Sequence, residues 1–487
     1  MAKRQTAPSA EVLARAGVDL HLELEGRGLR AGLTEALREA VRSGRLAPGT
    51  RLPASRALAS DLGIARSTVT ECYAELVAEG WMTAQQGSGT RVALRAEPRR
   101  PSTATVDAEA GAGASGVPAI RATHGLGPGV AEFAEFPRAP WLAAARRALA
   151  AAPHSAFGYG DPLGRMELRT ALADYLSRVR GVRAEPQCII ICSGFHHGLT
   201  LTAHALAAGG VRAVAVEGYG LDIYRATLAD AGLRIPPLGV DEGGARIDEL
   251  ALADVGAVLL TPAHQFPTGF ALAPERRAAV LDWARTTGGV VLEDDYDGEF
   301  RYDRKPVGAL QGLDPEHVIY FGTASKSLAP ALRLGWMVVP ESLLPAVAAA
   351  KGRVETVSVL DQLTFAEFVT SGAFDRHVRA RRTTYRHRRD ELVAAAVQSS
   401  AEVRVTGMAA GLQAVIELPT GTELRAVQEA ARQGLIVSGM AQFRHPDAGP
   451  HVPRRDALVV NFSVVSDSAW PGALHTLSSV LPQSVLP

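Results

Sequence analysis

The stretch "IYFGTASKSLAPALRLGW", residues 319–336, joins an apolar run to a small group of hydroxyl and basic side chains. The run 318–321 is rich in β-branched and aromatic residues, and Thr323, Ser325 and Lys326 follow it directly. Arg333 lies seven residues beyond the lysine. Lysine is rare beside a buried strand unless its amine has a chemical role. The stretch therefore predicts a strand that delivers a reactive lysine at its carboxyl end.

Similar apolar runs recur upstream and downstream of this one. The candidate buried strands are residues 188–192, 213–216, 257–260, 290–292, 318–321 and 336–339. Helical patterns such as Glu275 to Arg285 lie between them. Strands that alternate with helices predict an α/β fold with a mostly parallel sheet.

Length and composition limit the class of protein. A chain of 487 residues, 47% hydrophobic and 21% charged, is typical of two or more globular domains. The three cysteines form no CxxC pair, which argues against a disulfide framework or a structural zinc site and fits a reducing cytoplasm. Neither a signal peptide nor an apolar segment long enough to cross a bilayer is visible, so we expect a cytoplasmic protein without a membrane partner.

Composition changes along the chain predict four parts. Residues 1–25 form an N-terminal arm, and residues 26–94 form a compact unit with helix signals. Residues 95–125 are rich in Ala, Gly, Pro, Ser and Thr and predict a flexible linker. Residues 126–487 contain the α/β pattern.

The compact unit carries a helix-turn-helix pattern. "SRALASDLGIARSTVTECYAEL", residues 55–76, gives two helices around Gly63, and two short strands follow around a Gly-Ser-Gly turn. The second helix opens with side chains that bind phosphates and base edges, namely Arg66, Ser67, Thr68 and Thr70. From Arg27 to Arg91 there are nine arginines and six acidic residues, a net charge of +3 although the whole chain is neutral. The pattern predicts a winged helix that binds DNA; the alternative is a helical domain whose arginines only solvate its surface.

Taken together, "RLPASRALA", "ARSTVTECYAEL" and "GSGTRV" closely resemble the winged helix of the GntR family of bacterial regulators. The resemblance implies double-stranded promoter DNA as a partner. By position it places Arg51, Ser55 and Arg56 at the DNA backbone, and Arg66, Ser67, Thr68 and Thr70 at the major groove. It places Gln86 and Gly87 at the tip of the wing.

In the large unit, the groups near Lys326 fit one cofactor. A partly desolvated lysine has a lowered pKa and forms a Schiff base, and pyridoxal 5'-phosphate is the cofactor that uses such a lysine. Its phosphate needs a cradle, and its pyridine nitrogen needs a carboxylate. The backbone N–H groups of Ser193, Gly194 and Phe195 open a helix after a buried strand and would face an anion. Thr323, Ser325 and Arg333 would complete the cradle.

Further strands supply groups for the cofactor ring. "VVLEDDYDGEF", residues 290–300, delivers Asp294 and Asp295, either of which can face the pyridine nitrogen, and Tyr296 for the ring hydroxyl. The loop "TPAHQFPTG", residues 261–269, adds polar groups including Gln265, and Tyr219 offers a ring face for stacking. Each element alone is more often structural. We expect them to meet because the carboxyl ends of strands form the binding edge of an open α/β sheet.

From about residue 123 onward the sequence resembles fold-type I aminotransferases, and with the winged helix it resembles the MocR/GabR subfamily of GntR regulators. The motifs are "GYGDPLG", "TPAHQFPTG", "EDDYDGEFRY" and "GTASKSLAPALRLG". The resemblance implies that Lys326 holds the cofactor covalently and is the catalytic residue, and that Asp294 faces the pyridine nitrogen. It also implies Tyr296 on the ring hydroxyl, Tyr219 stacked on the ring and Arg333 on the phosphate. A homodimer is implied, with Tyr159 reaching the partner's phosphate.

Two departures from the family pattern stand out. Histidines occupy positions 196 and 197, where relatives often carry glutamines; adjacent residues point apart on a helix, so we expect no metal site there. The arginine that grips a substrate carboxylate near the last strand is missing from "ALVVNFS", residues 457–463, where Val459 or Val460 stands instead. Arg444, Arg454 or Arg455 are candidate substitutes.

These features favour a DNA-binding transcriptional regulator that senses a small-molecule effector, either pyridoxal phosphate or its adduct with an amine or amino acid. The alternative is an active aminotransferase that carries a DNA-binding domain. A repressor with a degenerate dimerisation domain is disfavoured, because the residues for the cofactor are intact.

Overall fold

A computed structural model describes residues 29–85, 89–94, 124–127, 136–302, 307–399 and 402–481. The chain divides into two compact units, Met1–Gly116 and Val117–Pro487. The predicted arm, most of the predicted linker and the wing-tip residues Gln86 and Gly87 lie outside the described residues.

The described part of the first unit contains three helices and a two-stranded antiparallel sheet. In chain order they are α1 (Leu29–Arg42), α2 (Ser55–Leu62), α3 (Arg66–Ala78), β1 (Met82–Gln85) and β2 (Gly89–Val92). Gly63 ends α2 in the left-handed conformation with φ of 65°, which a residue with a side chain adopts only at a cost. The glycine at position 63 therefore permits the sharp turn between α2 and α3.

The core of this unit is continuous across all its elements. Apolar side chains of α1, including Leu33 and Leu37, pack with Leu58 of α2, Val69 of α3 and Met82 of β1. Leu62 and Val77 are half-buried at its edge. The arrangement is the predicted winged helix-turn-helix.

The second unit is larger and contains the α/β pattern. Its first half comprises β3 (His124–Gly125), α4 (Arg138–Ala151), α5 (Met166–Arg180), β4 (Ile189–Cys192), α6 (Phe195–Ala208), β5 (Val214–Glu217), α7 (Asp222–Asp230), β6 (Pro237–Leu238), β7 (Val240–Asp241), β8 (Gly244–Ala245), β9 (Ala257–Leu260), α8 (Pro274–Thr287) and β10 (Val290–Asp294). Its second half comprises β11 (Val318–Thr323), β12 (Gly335–Val338), α9 (Leu344–Lys351), α10 (Val359–Thr370), α11 (Ala373–Ser399), β13 (Arg404–Thr406), β14 (Gln413–Glu417), α12 (Glu423–Arg432), β15 (Leu435–Ile436), β16 (Ser438–Gly439), β17 (Ala457–Asn461) and α13 (Trp470–Val480).

Seven strands form the main sheet in the order β4-β12-β11-β10-β9-β5-β6. All neighbouring pairs are parallel except those of β12, which runs antiparallel to both β11 and β4. The bounds of the long strands agree with the apolar runs to within two residues, but the reversed direction of β12 was not predicted. A continuous apolar run carries no information about strand direction.

Both faces of this sheet are buried. Ile189 and Ile191 belong to one apolar cluster, whereas Ile190 belongs to the cluster on the opposite face. Trp336 and Met337 of β12 alternate in the same way. Strands covered on both faces need apolar residues at every position, which explains why their sequences are unbroken apolar runs.

A second, antiparallel sheet of order β13-β14-β17-β16 comes from the C-terminal part of the chain. Gln413 of β14 pairs in register with Asn461 of β17, and Val415 pairs with Val459. This sheet supplies one wall of the cavity described next.

Candidate functional site

A cavity of about 170 Å³ lies at the carboxyl ends of β5, β9 and β10, the edge where ligands bind in open α/β sheets. Its walls contain side chains from sequence positions up to about 250 residues apart. The lining residues are Val216, Glu217, Tyr219, Gly220, Leu221, Tyr224, Arg225, Leu259, Thr261, Phe266, Asp294, Tyr296, Lys326, Leu412, Gln413 and Asn461. Four of the predicted site residues therefore meet here: Tyr219, Asp294, Tyr296 and Lys326.

Lys326 follows β11 and projects into this cavity. Its side chain is accessible because it faces the cavity, yet protein atoms surround it closely enough that desolvation lowers the pKa of its amine. The negative charges of Asp297 and Asp294 act in the opposite direction but do not cancel that effect. Among the described residues its amine has no hydrogen-bond or ion-pair partner, so it is available to a ligand.

Asp294 and Asp295 have contrasting surroundings. Both oxygens of Asp295 bind the buried guanidinium of Arg180, at 2.6 and 3.0 Å, and one also accepts from the Tyr320 hydroxyl at 2.7 Å. Asp294 lines the cavity, and its Oδ1 is buried without a hydrogen-bond partner. Burial, followed by the charge of Asp295, raises the pKa of Asp294. A buried carboxylate oxygen without a partner is costly, and a protonated ring nitrogen would satisfy it.

Tyr296 is held by a buried polar network. Its hydroxyl accepts from Gln413 Nε2 at 3.0 Å and lies 3.1 Å from His264 Nδ1. That histidine nitrogen is also 2.8 Å from Asp297 Oδ2. The network fixes the phenol at the cavity wall and links the two sheets, because Gln413 comes from β14.

The other predicted ring contacts, Tyr219 and Gln265, occupy different positions. Tyr219 is buried in the cavity wall, and its hydroxyl donates to the Pro453 carbonyl at 2.7 Å. Gln265 does not line the cavity; its amide nitrogen donates to Glu217 and to the Tyr219 carbonyl, and its oxygen accepts from Thr268. Gln265 therefore holds Glu217 and the backbone of Tyr219 in position, and its direct contact with a ligand stays a prediction.

The predicted phosphate cradle assembles from two loops that are distant in sequence. Arg333 Nη2 donates to the Ser193 carbonyl at 2.5 Å, and Thr323 Oγ1 donates to Ser325 Oγ at 2.9 Å. Arg333 itself has φ of 50°, rare for a residue with a side chain and frequent at ligand sites. A side-chain carbon on Gly335 would lie 2.7 Å from the Cα of Gly194, so this close approach needs glycine.

The backbone donors of that cradle are partly used within the protein. The Ser193 N–H donates to His197 Nδ1 at 3.0 Å, and the Gly194 N–H donates to the Cys192 carbonyl at 2.9 Å. Of the three predicted donors, only the Phe195 N–H lacks an acceptor among the described residues. Anion binding through the other two would require these bonds to be exchanged, so their role stays a prediction.

Val459 and Val460, the two residues that stand where the carboxylate-binding arginine was expected, lie on opposite faces of their sheet. Val459 packs with Tyr219, Phe266 and Tyr296, whereas Val460 belongs to the cluster on the other face of its sheet. Val459 therefore lies behind the aromatic wall of the site, and Asn461 is the residue of β17 that lines the cavity. Of the candidate substitutes, Arg444 donates to three backbone carbonyls, Arg455 pairs with Glu417 at 3.0 Å, and Arg454 is exposed. None of the three lines the cavity.

Two further predicted positions lie away from the cavity. Tyr159 is fully exposed in the single chain, so its predicted contact with a partner subunit is neither made nor blocked here. His196 and His197 point to different neighbours, Thr227 and Ser193 respectively.

In the first unit, three of the predicted DNA contacts lie close together. Arg51, Ser55 and Thr70 line one groove between α2, α3 and β2. Arg56, Arg66 and Ser67 are exposed, and Thr68 is half-buried at the start of α3. Thr70 Oγ1 donates to the Arg66 carbonyl at 2.9 Å, so its hydroxyl would have to turn before it contacts a base.

Charge is divided unevenly over this unit. Arginines of α1 are neutralised by glutamates: Arg30 by Glu71 at 3.3 Å, Arg38 by Glu79 at 2.9 Å and Arg42 by Glu39 at 2.7 Å. Arg51, Arg56 and Arg66 make no ion pair with any described residue. These three arginines, all predicted to contact DNA, thus keep a charge that no described residue neutralises.

Comparison with known families agrees with this two-part organisation. Residues 29–92 match the model of bacterial regulatory proteins of the gntR family, and residues 126–450 match aminotransferase class I and II. The chain belongs to the MocR/GabR subfamily of GntR regulators. Relatives cover nearly the whole length of the chain, so the order of the two units is shared as well.

Three relatives of this MocR-type regulator illustrate the match. The HTH-type regulator YdeL of Bacillus subtilis is 32% identical over 88% of this chain and 92% of its own. The rhizopine catabolism regulatory protein MocR of Rhizobium meliloti is 32% identical over 92% of both chains. The pyridoxine biosynthesis regulator PdxR of Corynebacterium glutamicum is 31% identical over 84% of this chain and 88% of its own.

Solved structures show the fold of the large unit. An archaeal alanine:glyoxylate aminotransferase superposes with a TM-score of 0.67 at 24% identity, covering 74% of this chain and 91% of that one. A Pyrococcus horikoshii kynurenine aminotransferase gives 0.65 at 23% identity, covering 74% and 91%. The large unit of this MocR-type regulator has the fold-type I aminotransferase architecture, and its cofactor is pyridoxal phosphate.

The residues present fit that cofactor. Among the described residues, Asp294 Oδ1 and the Lys326 amine have no partner and belong to one cavity; they supply the acceptor and the nucleophile that a pyridinium ring with a reactive carbonyl requires. Lys326 would hold the group, Asp294 would keep its ring nitrogen protonated, and the bound cofactor would supply an electron sink. Tyr296 is positioned to hydrogen-bond a ring hydroxyl.

Several site residues were missed from the sequence. His264 and Asp297 lie within motifs that were recognised, "TPAHQFPTG" and "EDDYDGEF", but nothing in those motifs shows that the two side chains meet. Glu217, Arg225 and Gln413 line the cavity from three separate elements, and Gln413 lies in a sheet that was not predicted.

None of the helices in the part of the chain that the structure describes has the length and apolar character needed to span a lipid bilayer.

Proposed function

We propose that this protein is a pyridoxal phosphate-dependent transcriptional regulator whose affinity for promoter DNA changes when its large unit binds the cofactor, alone or together with an amino compound. The large unit receives the effector and carries the dimer interface, and the winged helix binds DNA. Candidate target genes are those of vitamin B6, amine or amino-acid metabolism. The bounds of the parts are those stated for the sequence: 26–94, 95–125 and 126–487.

The observation that supports the proposal most directly is the pairing of two unsatisfied groups in one cavity. Among the described residues, the Lys326 amine and the buried Oδ1 of Asp294 both lack a hydrogen-bond partner, and a ligand in the cavity would satisfy them. Because the same chain contains a winged helix, cofactor binding could regulate DNA binding: a change of conformation that depends on the cofactor can alter DNA affinity.

The second candidate function is that of an active aminotransferase, and the presence of both Lys326 and Asp294 favours it as well. It is weakened by Val459, an apolar residue of β17 that packs with Tyr219 and Tyr296 and offers no fork of donors to a substrate carboxylate. A relative named for pyridoxine biosynthesis and another named for rhizopine catabolism agree better with regulation.

The deciding experiment is a DNA-binding titration on one preparation, with the native upstream region as probe. Apparent affinity is measured without ligand, with pyridoxal phosphate, and with the cofactor plus individual amino compounds. We expect a shift of at least fivefold in one of these states, the lower end of typical allosteric coupling. The Lys326→Ala variant should lose that response and retain its basal DNA affinity. Equal affinity in all states would contradict the proposal.

A further inference from the structure

His264, from the loop after β9, lies behind Tyr296 in a buried polar network. It is 3% exposed and does not line the cavity, and its partner Asp297 is 2% exposed. His264 Nδ1 lies 2.8 Å from Asp297 Oδ2 and 3.1 Å from the Tyr296 hydroxyl oxygen. A buried network of this kind fixes the orientation of the groups that belong to it.

The direction of each hydrogen bond follows from the groups that make it. A carboxylate only accepts, so the hydrogen between His264 and Asp297 is carried by His264 Nδ1. Gln413 Nε2 donates to the Tyr296 hydroxyl oxygen at 3.0 Å. That oxygen therefore has a donor group on each of two sides. Neither donor can accept the hydrogen of the phenol, and Asp297 Oδ2 already accepts from the imidazole, so the phenol hydrogen is left for the cavity that Tyr296 lines.

The Tyr296 phenol also keeps its hydrogen. Burial raises the pKa of Tyr296 well above its ordinary value, and the negative charges of Asp297 and Asp294 act in the same direction. Lys326 is the cationic side chain that lines the cavity together with Tyr296. A protonated phenol with two donors behind it acts toward a ligand as a donor, and a negatively charged oxygen is the strongest acceptor it can meet.

Packing holds the imidazole in this orientation. Gly411 has φ of 72°, and a side-chain carbon there would lie 2.2 Å from His264 Cε1 and 2.4 Å from Asp297 Oδ2, so the position requires glycine. The Gly411 N–H donates to the Phe300 carbonyl at 2.6 Å, which holds this backbone against the pair. His264 Nε2 is buried and has no hydrogen-bond partner among the described residues, so the bond to Asp297 orients the ring.

We infer that His264, oriented by Asp297, is a positioning residue for the cofactor: it fixes the Tyr296 phenol so that its O–H donates to the hydroxyl oxygen of the cofactor ring. The inference deepens the proposed function, because it concerns how the same cavity holds its cofactor. His264 does not line the cavity, so it acts through the tyrosine.

This role has a consequence for the absorbance of the bound cofactor, which changes when the proton shared between the ring oxygen and the Lys326 linkage is lost. A hydrogen bond donated to that oxygen stabilises its negative charge, and the stabilisation is largest after the proton has left. The Tyr296 O–H therefore lowers the pH at the midpoint of the absorbance change. Loss of the correct phenol orientation should raise that midpoint.

The test titrates the full-length, cofactor-loaded protein with pH and records the absorbance midpoint. Tyr296→Phe should raise the midpoint by about 0.5–1 pH unit, the effect of one hydrogen bond, and His264→Leu should raise it by about half as much or more. His264→Asn should keep the wild-type midpoint, because its amide nitrogen can replace Nδ1 as the donor. In the Tyr296→Phe background, His264→Leu should add no further shift. An unchanged midpoint in His264→Leu, or a further shift in the double variant, would overturn the inference.

His317 supplies a matched control. Its Nδ1 lies 3.0 Å from a carboxylate oxygen of Asp314, but it precedes β11, at the opposite end of the strand from Lys326, and does not line the cavity. His317→Leu should keep the wild-type midpoint, and a shift as large as that of His264→Leu would contradict the assignment.

Thermal unfolding checks the fold of each variant. If His264→Leu does not fold, His264→Gln replaces it, because the longer glutamine side chain brings its amide near the place of Nε2 instead of Nδ1; it should raise the midpoint, and a wild-type midpoint would count against the inference. Failure of the regulator proposal appears separately, as DNA affinity that ignores pyridoxal phosphate in a protein whose absorbance midpoint still depends on His264.

Discussion

At the scale of single residues, Asp294 and Asp295 show how neighbours in sequence take opposite roles. Asp295 is locked in a buried bidentate pair with Arg180, whereas Asp294 presents an unsatisfied oxygen to the cavity. The Asp295 carboxylate stabilises the fold, whereas the Asp294 carboxylate is available to a ligand. The sequence alone left both open, because spacing does not reveal that Arg180, more than a hundred residues away, selects Asp295.

The pair offers a sharp test. Asp295→Asn should destabilise the large unit by about 3–5 kcal/mol, because it leaves the buried guanidinium of Arg180 without its counter-charge. Asp294→Asn should leave the cofactor-free protein at least as stable as wild type, because it removes a buried charge without a partner, and should weaken pyridoxal phosphate binding by about tenfold to hundredfold. Chemical unfolding and cofactor titration of both variants give the two readouts. The reverse pattern would exchange the roles we assign.

Lys326 carries the covalent attachment in our proposal. Lys326→Ala should not form a borohydride-reducible bond with pyridoxal phosphate, whereas wild type should become labelled at this residue. The reason is that its amine has a lowered pKa and no protein partner, so it is the nucleophile that the cavity presents. Mass spectrometry of the reduced protein identifies the labelled residue. Labelling of Lys351 in the variant at the wild-type level would refute the assignment.

At the scale of elements, the apolar runs predicted the main sheet well because they are buried on both faces. The antiparallel direction of β12 and the whole C-terminal sheet were missed. Both depend on pairings between distant segments, such as Gln413 with Asn461, which local periodicity does not encode. The sequence placed Lys326 at the end of a strand, where the structure has it lining the cavity, but it gave no sign that Gln413, from a separate sheet, lines the same cavity and donates to Tyr296.

The recognition helix α3 supports a prediction with an internal control. Arg66→Ala should weaken specific DNA binding by roughly 1–3 kcal/mol, because Arg66 is exposed at the start of the helix without an acidic partner. Arg30→Ala, which removes an arginine already neutralised by Glu71, should change DNA affinity little. Electrophoretic mobility shifts on the native promoter measure both. Equal losses would mean that the unit binds DNA by a different face.

At the scale of the whole molecule, we expect the large unit to form a homodimer without the winged helix. A chain lacking residues 1–94 should be dimeric in sedimentation analysis and should bind pyridoxal phosphate as tightly as the full chain. Tyr159, fully exposed in one chain, is expected to become protected in the dimer. A truncated chain that is monomeric and keeps full cofactor affinity would contradict a shared site.

We also expect negligible transamination by the intact protein. The wall at Val459 is apolar, so the reacting carbon of a substrate is not held in the orientation that an arginine there would impose. Misplacement of this kind costs on the order of a hundredfold, which puts turnover below about 0.01 s⁻¹ compared with about 1 s⁻¹ for slow enzymes. A coupled assay over amino donors and keto acids, with Lys326→Ala as background, measures it. Rates near 1 s⁻¹ would establish an enzyme.

The uneven pairing of arginines in the winged helix has a consequence for ionic strength. Binding to DNA releases about 0.9 counterion for each phosphate that a cation neutralises. If only Arg51 and Arg56, which make no ion pair with any described residue, meet phosphates, each winged helix releases about two ions, whatever its total number of arginines. A fourfold rise in salt concentration would then weaken the DNA affinity of each winged helix by only about tenfold, which is a weak salt dependence for a DNA-binding protein. Recognition would persist through the osmotic swings of a growing cell, and the ligand rather than the salt would set occupancy of the promoter.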